Sequence, residues 1–259
     1  MRYFYILVIV LFCKELYPDS TKTSIIDFGG HQIDHLAIGV PDTKKGLEWL
    51  KQLTGAKAYL VEPEPGQWYQ SGGLVIGEGV LLEIIGPNPQ HSGFHPIKQI
   101  LKNYNKPNLM FYYIAVEDFN TFKKFSKDNN IPLERVEKME YLRNGKQISY
   151  IRSTIGPGFL SERPNIIQWI SREERSNEDR SCSFKKFWIQ TSEFEDIKEL
   201  FSTLNLSIDV SKQKKGGTLN LQLRCLNGEI HFEGNSEDFR GVGSFFKFLK
   251  IYWNYLWNG

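Results

Sequence analysis

Two side chains able to bind a metal or move a proton, His35 and Glu83, interrupt separate apolar runs of the chain, residues 33–40 and 80–85. An imidazole nitrogen and a carboxylate oxygen are suitable ligands for Zn²⁺, Fe²⁺, Mn²⁺ or Ni²⁺. The carboxylate of Glu83 is also suited to act as a general base. For His35 the alternative is a hydrogen-bonded core histidine, whereas an acidic side chain inside an apolar strand needs a partner.

The elements around these two residues predict one compact unit over residues 32–87. Residues 33–40 alternate, with Ile33, His35 and Ala37 on one face and Asp34, Leu36, Ile38 and Val40 on the other, which predicts a strand. A helix with its N-cap near Asp42 and three short strands follow, at 46–53, 58–61, 73–76 and 80–85. In this β-α-β-β-β order the first and last strands are neighbours in a curled sheet, so His35 and Glu83 can meet.

The same order of elements recurs in residues 109–171. A strand, a helix and three strands are predicted at 109–116, 119–128, 133–138, 147–152 and 166–170, with a hairpin at Asn144-Gly145. Placing residues 37–42 over 113–118 leaves matching helices just behind, which indicates an internal repeat. The superposition puts Phe111 opposite His35 and Gln168 opposite Glu83.

A third stretch, residues 182–233, predicts a strand, a helix and two further strands, a shortened version of the same unit. The polar residues 171–180 form the natural linker before it. The predicted fold class is therefore α+β, with paired βαβββ modules forming curled mixed sheets and a partial third module.

Several short motifs resemble the glyoxalase-like domain of the vicinal oxygen chelate superfamily. The resemblance extends over residues 32–233 and rests on five segments: 32–42, Pro65-Gly66, 81–89, Asn144-Gly145 and 164–169. It implies a divalent metal (Zn, Mn, Fe or Ni) bound by His35, Glu83 and the neutral amide Gln168, with Phe111 in place of a further expected ligand. It also implies a small oxygenated substrate and lyase, isomerase or dioxygenase chemistry, because such a metal polarises a substrate oxygen.

A ligand pocket is predicted beside the same strands. Trp68, Tyr69, Tyr113 and Trp169 can line an apolar cavity with a few polar groups, although core packing is the alternative for each. Arg152, on the third strand of the second module, can hold an anionic group of the substrate.

Composition excludes several classes of function. Lys and Arg total 32 against 30 for Asp and Glu, and a net charge of +2 does not predict a nucleic-acid partner. The 41% hydrophobic content is that of an ordinary folded protein. A small-molecule ligand is the expected partner, because the net charge is near zero. No P-loop, dinucleotide fingerprint or nucleophile elbow is present, which disfavours nucleotide chemistry and a hydrolase triad.

Both termini are unusually apolar. Residues 3–13 follow Met1-Arg2 and predict a signal peptide within residues 1–20, hence a secreted or membrane-associated protein, unless they form a first element of a cytoplasmic one. The aromatic tail, residues 234–259, predicts packing onto the domain or contact with a membrane surface. Cys182 and Cys225 are either a disulfide or two buried thiols. Homodimerisation is open, because paired modules can close within one chain or across two.

Three functional hypotheses follow from these observations. The first is a metal-assisted enzyme with His35 and Glu83 as ligands, or with Glu83 as general base. The second is a small-molecule binding or sequestering module that uses the same cavity without catalysis, which Phe111 and Gln168 favour. The third is an interaction protein that acts through its apolar termini.

Overall fold

The first unit contains one helix and four strands. A computed structural model describes residues 33–63, 66–77, 79–143, 145–156, 162–172 and 181–235. Helix α1 begins where the side chain of Asp42 accepts a hydrogen bond from Lys45 N and ends at Gly55, whose φ of 72° suits a glycine. The elements are β1 (Ile33–Gly39), α1 (Thr43–Thr54), β2 (Tyr59–Val61), β3 (Tyr69–Ile76) and β4 (Val80–Pro87).

The second unit repeats this order, as predicted. Asp118 caps its helix in the way that Asp42 caps α1, since its carboxylate accepts from Asn120 N and Thr121 N. A short helix, α2 (Pro96–Lys102), joins the two units, and proline is well suited to its first position. The unit consists of β5 (Asn108–Ala115), α3 (Phe119–Asp128), β6 (Leu133–Arg143), β7 (Lys146–Ile155) and β8 (Asn165–Ser171).

The two units share one eight-stranded sheet in the order β2-β3-β4-β1-β5-β8-β7-β6. Strands β1 and β5 are antiparallel neighbours at its centre, and each is parallel to the last strand of its own unit. The arrangement confirms the predicted α+β fold of paired βαβββ modules in a curled mixed sheet.

The third unit forms a separate four-stranded sheet. Its elements are β9 (Cys182–Thr191), α4 (Phe194–Thr203), β10 (Asp209–Lys212), β11 (Gly217–Cys225) and β12 (Gly228–Asn235). The strand order β10-β9-β11-β12 differs from that of the first two units. The sequence did not indicate β10, because this edge strand is short and mostly exposed.

The two faces of the large sheet have different neighbours. On one face, helices α1 and α3 and the inner side of the third sheet form the main core. Strand β12 lies so close to β5 that a Cβ added to Gly234 would be 1.6 Å from the backbone oxygen of Leu109, so only glycine fits there. The other face carries a second apolar cluster with several aromatic side chains. A cavity lined by residues of both units lies on this second face.

No helix among the described residues is long and apolar enough to cross a membrane. The predicted signal peptide and residues 236–259 of the predicted aromatic tail lie outside the described residues.

Candidate functional site

A cavity of about 1200 Å³ opens on the aromatic face of the large sheet, with walls from both units. The structure brings to it seven of the eight side chains predicted for the site. These are His35, Trp68, Tyr69, Glu83, Tyr113, Arg152 and Trp169. This volume is slightly above the usual range of ligand pockets, about 300–1,000 Å³, so the cavity is large enough for a whole small molecule.

His35 is held by its sequence neighbour Asp34. The pairing of β1 with β5 passes from Ile33 opposite Ile114 to His35 opposite Tyr113, so Asp34 is an extra residue in β1. Such a bulge changes the direction of side chains, and here it brings the Asp34 carboxylate to 2.8 Å from His35 Nδ1. The strict alternation expected from sequence, with Asp34 and His35 on opposite faces, is therefore wrong.

The Asp34–His35 pair is buried and held from several sides. The exposed fraction of the Asp34 side chain is 2% and that of His35 is 10%. Trp169 Nε1 donates to Asp34 Oδ1 at 3.0 Å, and Arg172 Nη1 lies 3.7 Å from the same oxygen. The ring of Tyr113 stacks on the imidazole at 4.3 Å between centroids. The imidazole orientation is thus determined before any ligand enters.

Hydroxyl and charged groups are concentrated on the cavity wall around Glu83. Burial raises the pKa of Tyr69, and the charge of Glu83 raises it further by a smaller amount. Burial also raises the pKa of Tyr113, and Arg152 opposes this change. Both tyrosines therefore remain protonated at neutral pH and can donate hydrogen bonds to a ligand oxygen.

Arg152 is one of the cationic side chains of the cavity wall. Its Nε and Nη2 both donate to Glu137 Oε2, at 2.8 and 2.7 Å. The remaining nitrogen, Nη1, has no partner among the described residues. The guanidinium is therefore positioned by one carboxylate and keeps donors for an anionic ligand.

Gln168, predicted as a metal ligand, is not at the cavity. Its Oε1 accepts a hydrogen bond from Phe119 N at 3.0 Å, and its Nε2 donates one to Glu117 O at 3.0 Å. Both polar atoms are therefore bonded to the backbone at the start of α3. The predicted superposition of Gln168 on Glu83 is off by three residues.

Backbone hydrogen bonds give the correct superposition of the two fourth strands. Val40 N donates to Ile85 O in the first unit, and Val116 N donates to Ile167 O in the second. Ile167 is thus equivalent to Ile85, and Asn165 is equivalent to Glu83. Asn165 Nδ2 donates to Tyr112 O, so it is not a substitute ligand.

The donor set does not fit a resident catalytic metal. Such sites use three protein ligands, and here the second unit supplies Phe111 at the position of His35 and Asn165 at that of Glu83. Among the described residues, no three His, Cys, Asp or Glu side chains are grouped to hold a metal ion. The predicted ligand set of His35, Glu83 and Gln168 is therefore incomplete.

We expect the purified protein to retain far less than one equivalent of metal. After incubation with Zn²⁺, Mn²⁺, Fe²⁺ or Ni²⁺ and gel filtration, elemental analysis should give the same low content for the parent and for a His35→Ala, Glu83→Ala variant, because two ligands bind weakly. Near-stoichiometric metal in the parent that is lost in the variant would restore the metal site.

His95 and Trp68 form a further part of the wall. Their ring centroids are 4.0 Å apart, with an angle of 7° between the ring planes. The ring centroid of Trp68 is also 4.9 Å from that of Tyr69. Burial lowers the pKa of His95 to about 4, and the charges of His91 and Lys98 add to this effect. His95 is therefore a neutral histidine at physiological pH.

The lowered pKa of His95 makes the protein less stable in mild acid. An unfolded histidine has a pKa of about 6.5, so between that pH and about 4 the unfolded chain binds a proton that the folded chain does not. Stability is thus greatest above pH 6.5 and falls toward pH 4. We expect His95→Gln to lose less stability than the parent between pH 7 and 4.5, measured by urea unfolding. If the free energy of unfolding of His95→Gln depended on pH as steeply as that of a His231→Gln control, the lowered pKa of His95 would be contradicted.

Sequence reasoning missed Asp34, Tyr150 and His95 as members or supports of the site. A bulge leaves no clear mark on an alternating pattern, so Asp34 was assigned to the wrong face. Tyr150 lies in β7, and the apolar pattern of residues 147–152 does not identify which face of this strand lines the cavity. His95 lies in the segment between the two units, where no local pattern indicates that its ring lines the cavity.

Comparisons with known proteins show likeness in structure alone. No protein-family model and no curated protein matches the chain in sequence. A methylmalonyl-CoA epimerase from Mycobacterium tuberculosis is 17% identical over 53% of this chain and 86% of its own, with a TM-score of 0.39. A hypothetical protein from Staphylococcus aureus is 13% identical over 78% and 84%, with a TM-score of 0.48. A hypothetical protein from Bacillus halodurans C-125 is 17% identical over 56% and 97%, with a TM-score of 0.41. At these values the activities of the neighbours do not carry over to this chain.

Proposed function

We propose that this chain is an enzyme that transfers a proton on a small oxygenated acid, in an isomerase or lyase type of reaction, with His35 as general base. The observation that carries the proposal is the buried Asp34–His35 pair at the wall of a ligand-sized cavity. Histidine is the commonest general base because its ordinary pKa lies near neutrality.

The hydrogen bond to Asp34 selects the tautomer that the reaction needs. Nδ1–H donates to the carboxylate, so the lone pair is on Nε2, the nitrogen left to accept a proton. When Nε2 takes a proton from a carbon next to a carbonyl, the electron pair of the C–H bond moves to the carbonyl oxygen as an enolate. In a β,γ-unsaturated substrate, return of the proton to the γ-carbon moves the double bond and completes an isomerisation. In a substrate with a leaving group on the β-carbon, departure of that group completes an elimination. The carboxylate stabilises the imidazolium between these steps.

The polar groups of the wall favour an acidic, oxygen-rich substrate. Arg152 offers donors to a carboxylate, and the protonated Tyr69 and Tyr113 can donate to an enolate oxygen. Apolar side chains such as Ile85 and Met110 line the rest of the cavity, so part of the substrate is apolar. A small oxo acid with a hydrophobic substituent has this chemistry.

Hydrogen–deuterium exchange tests this proposal directly. The protein is incubated in D₂O with a panel of 2-oxo and 3-oxo acids that carry alkyl or aryl substituents, and loss of the exchangeable C–H signal is followed by proton NMR. We expect catalysed exchange in the parent and none above background in His35→Gln. His231→Gln is the matched control, because His231 lies on the third sheet, stacked on Trp188.

A small-molecule binding module is the second candidate, and the incomplete donor set favours it. Phe111 removes one of the ligands that metal-assisted members of such a fold would use, while the cavity itself is retained. A parent protein that binds members of the panel but accelerates no exchange would overturn the enzyme and support this candidate.

We further propose that the chain passes through an oxidising compartment. Cys182 and Cys225 form a buried disulfide in the third unit, which agrees with a secretory route and with the apolar N-terminal run of the sequence. Thiol alkylation of the protein taken from its source cells tests this, since two alkylated cysteines at these positions would contradict the route.

A further inference from the structure

His95 is a histidine whose ring nitrogens have no hydrogen-bond partner among the described residues. Its Nδ1 is buried and unpaired. It occupies the N-cap position of α2 but makes no capping hydrogen bond through its side chain. Because buried polar groups in folded proteins are nearly always paired, a histidine in this state needs another reason to be there.

The two nitrogens of His95 are not equivalent. Nδ1 is sealed from solvent, whereas the side chain as a whole is half-buried and lines the cavity. A buried N–H without an acceptor is rarer than a buried acceptor without a donor, so we assign the proton to Nε2. The ring then presents one hydrogen-bond donor.

The surroundings of His95 keep this donor in place and uncharged. Trp68 stacks face to face on the ring, so the imidazole cannot turn freely. Buried Lys98, from α2, donates through Nζ to His91 O and makes protonation of the imidazole unfavourable. Apolar Ile97 and Met110 also line the cavity. The charges of His91 and Lys98 act on His95, and the charge of Lys102 acts on Lys98.

We propose that His95 and Trp68 form a second recognition point in the cavity, which binds an uncharged oxygen acceptor, such as a ketone or ester carbonyl, on an apolar planar part of the ligand. A neutral N–H beside an indole selects a carbonyl on an aromatic or conjugated group, whereas Arg152 selects an anion. The inference rests on the proposed use of the cavity for a small molecule, but not on proton transfer.

A pair of fragments with the same shape tests this recognition. Acetophenone carries a carbonyl oxygen, and α-methylstyrene carries a CH₂ group in its place. Dissociation constants for both are measured by NMR titration of the full chain. We expect the ratio of the α-methylstyrene constant to the acetophenone constant to fall about three- to tenfold in His95→Phe, because the variant keeps a stacked ring but loses one hydrogen bond.

Two matched variants make the result specific. His95→Gln places an amide N–H near the position of Nε2 and should retain most of the parent ratio. His231→Phe removes a histidine that also stacks on a tryptophan, on the third sheet, and should leave the ratio unchanged. An unchanged ratio in His95→Phe, or a fall of the same size in His231→Phe, would overturn the proposal.

A measurement without substitution covers the case in which His95→Phe does not fold. In protein with ¹⁵N-labelled histidine, the Nε2 resonance of His95 should have the shift of a neutral N–H and should move with acetophenone but not with α-methylstyrene. A proton on Nδ1 would also overturn the proposal. A parent protein that catalyses exchange but shows no preference for acetophenone over α-methylstyrene would reject this recognition point alone. A parent protein that shows the preference but catalyses no exchange would reject proton transfer alone.

Discussion

Replacing Asp34 by Asn should lower the rate of His35-dependent proton exchange by about 10²- to 10⁴-fold. The amide can present an N–H to Nδ1 of His35, which would move the imidazole proton to Nε2 and remove the lone pair from the reacting nitrogen. It also removes the negative charge that stabilises the imidazolium. The Asp34→Asn change keeps the volume of the side chain, so the hydrogen bond from Trp169 to Oδ1 can remain.

The measurement is the exchange rate at saturating oxo acid, together with the dissociation constant of the same acid. We expect the rate to fall while the affinity changes little, because Asp34 contacts His35, Trp169 and Arg172 and is not part of the cavity lining. Combining Asp34→Asn with His35→Gln should add almost nothing to the loss in His35→Gln, since the two residues act as a unit. A rate in Asp34→Asn equal to that of the parent would show that the pair is structural only.

Replacing Cys182 and Cys225 by Ala should lower the free energy of unfolding by about 2–4 kcal/mol. The two cysteines are 43 residues apart in sequence and directly opposite each other on β9 and β11. Their bond closes most of the third unit into one loop, so it removes conformations from the unfolded chain. Both are buried against the main core, and loss of the sulfur atoms adds a packing cost.

Urea unfolding of the parent with and without reductant checks this prediction and provides its control. The reduced parent and the double Ala variant should unfold at similar urea concentrations, both below the oxidised parent. If reductant leaves the midpoint of the parent unchanged while free thiols are detected in the native protein, the cysteines are unpaired and the expected stabilisation is absent.

The repeat could be predicted from sequence because local signals define its helices and strands. Asp42 and Asp118 are short acceptors placed just before amphipathic stretches, and both cap helices in the structure. Periodic apolar residues identified the strands. In the βαβββ order the first and last strands of each unit are neighbours, and in the structure they pair in parallel. His35 and Glu83 come to one cavity as a consequence of this topology.

The roles of individual side chains depended on pairing between strands, which local patterns do not encode. Gln168 was superposed on Glu83 because both lie in similar apolar strands, yet a shift of three residues turns its amide to the start of α3. Side chains alternate along a strand with a period of two, so an odd shift places a residue on the opposite face.

Local sequence patterns were sufficient to predict that the chain contains paired βαβββ units, that their first strands are equivalent, and that aromatic and polar side chains lie beside His35 and Glu83. These features follow from periodicity and capping, which act over a few residues. Three features could not be predicted from these patterns: the bulge that joins Asp34 to His35, the bond between Cys182 and Cys225, and the neutral ring of His95 at the cavity. Each of these depends on register, burial or contact between segments distant in sequence, and such contacts exist only once the chain is folded.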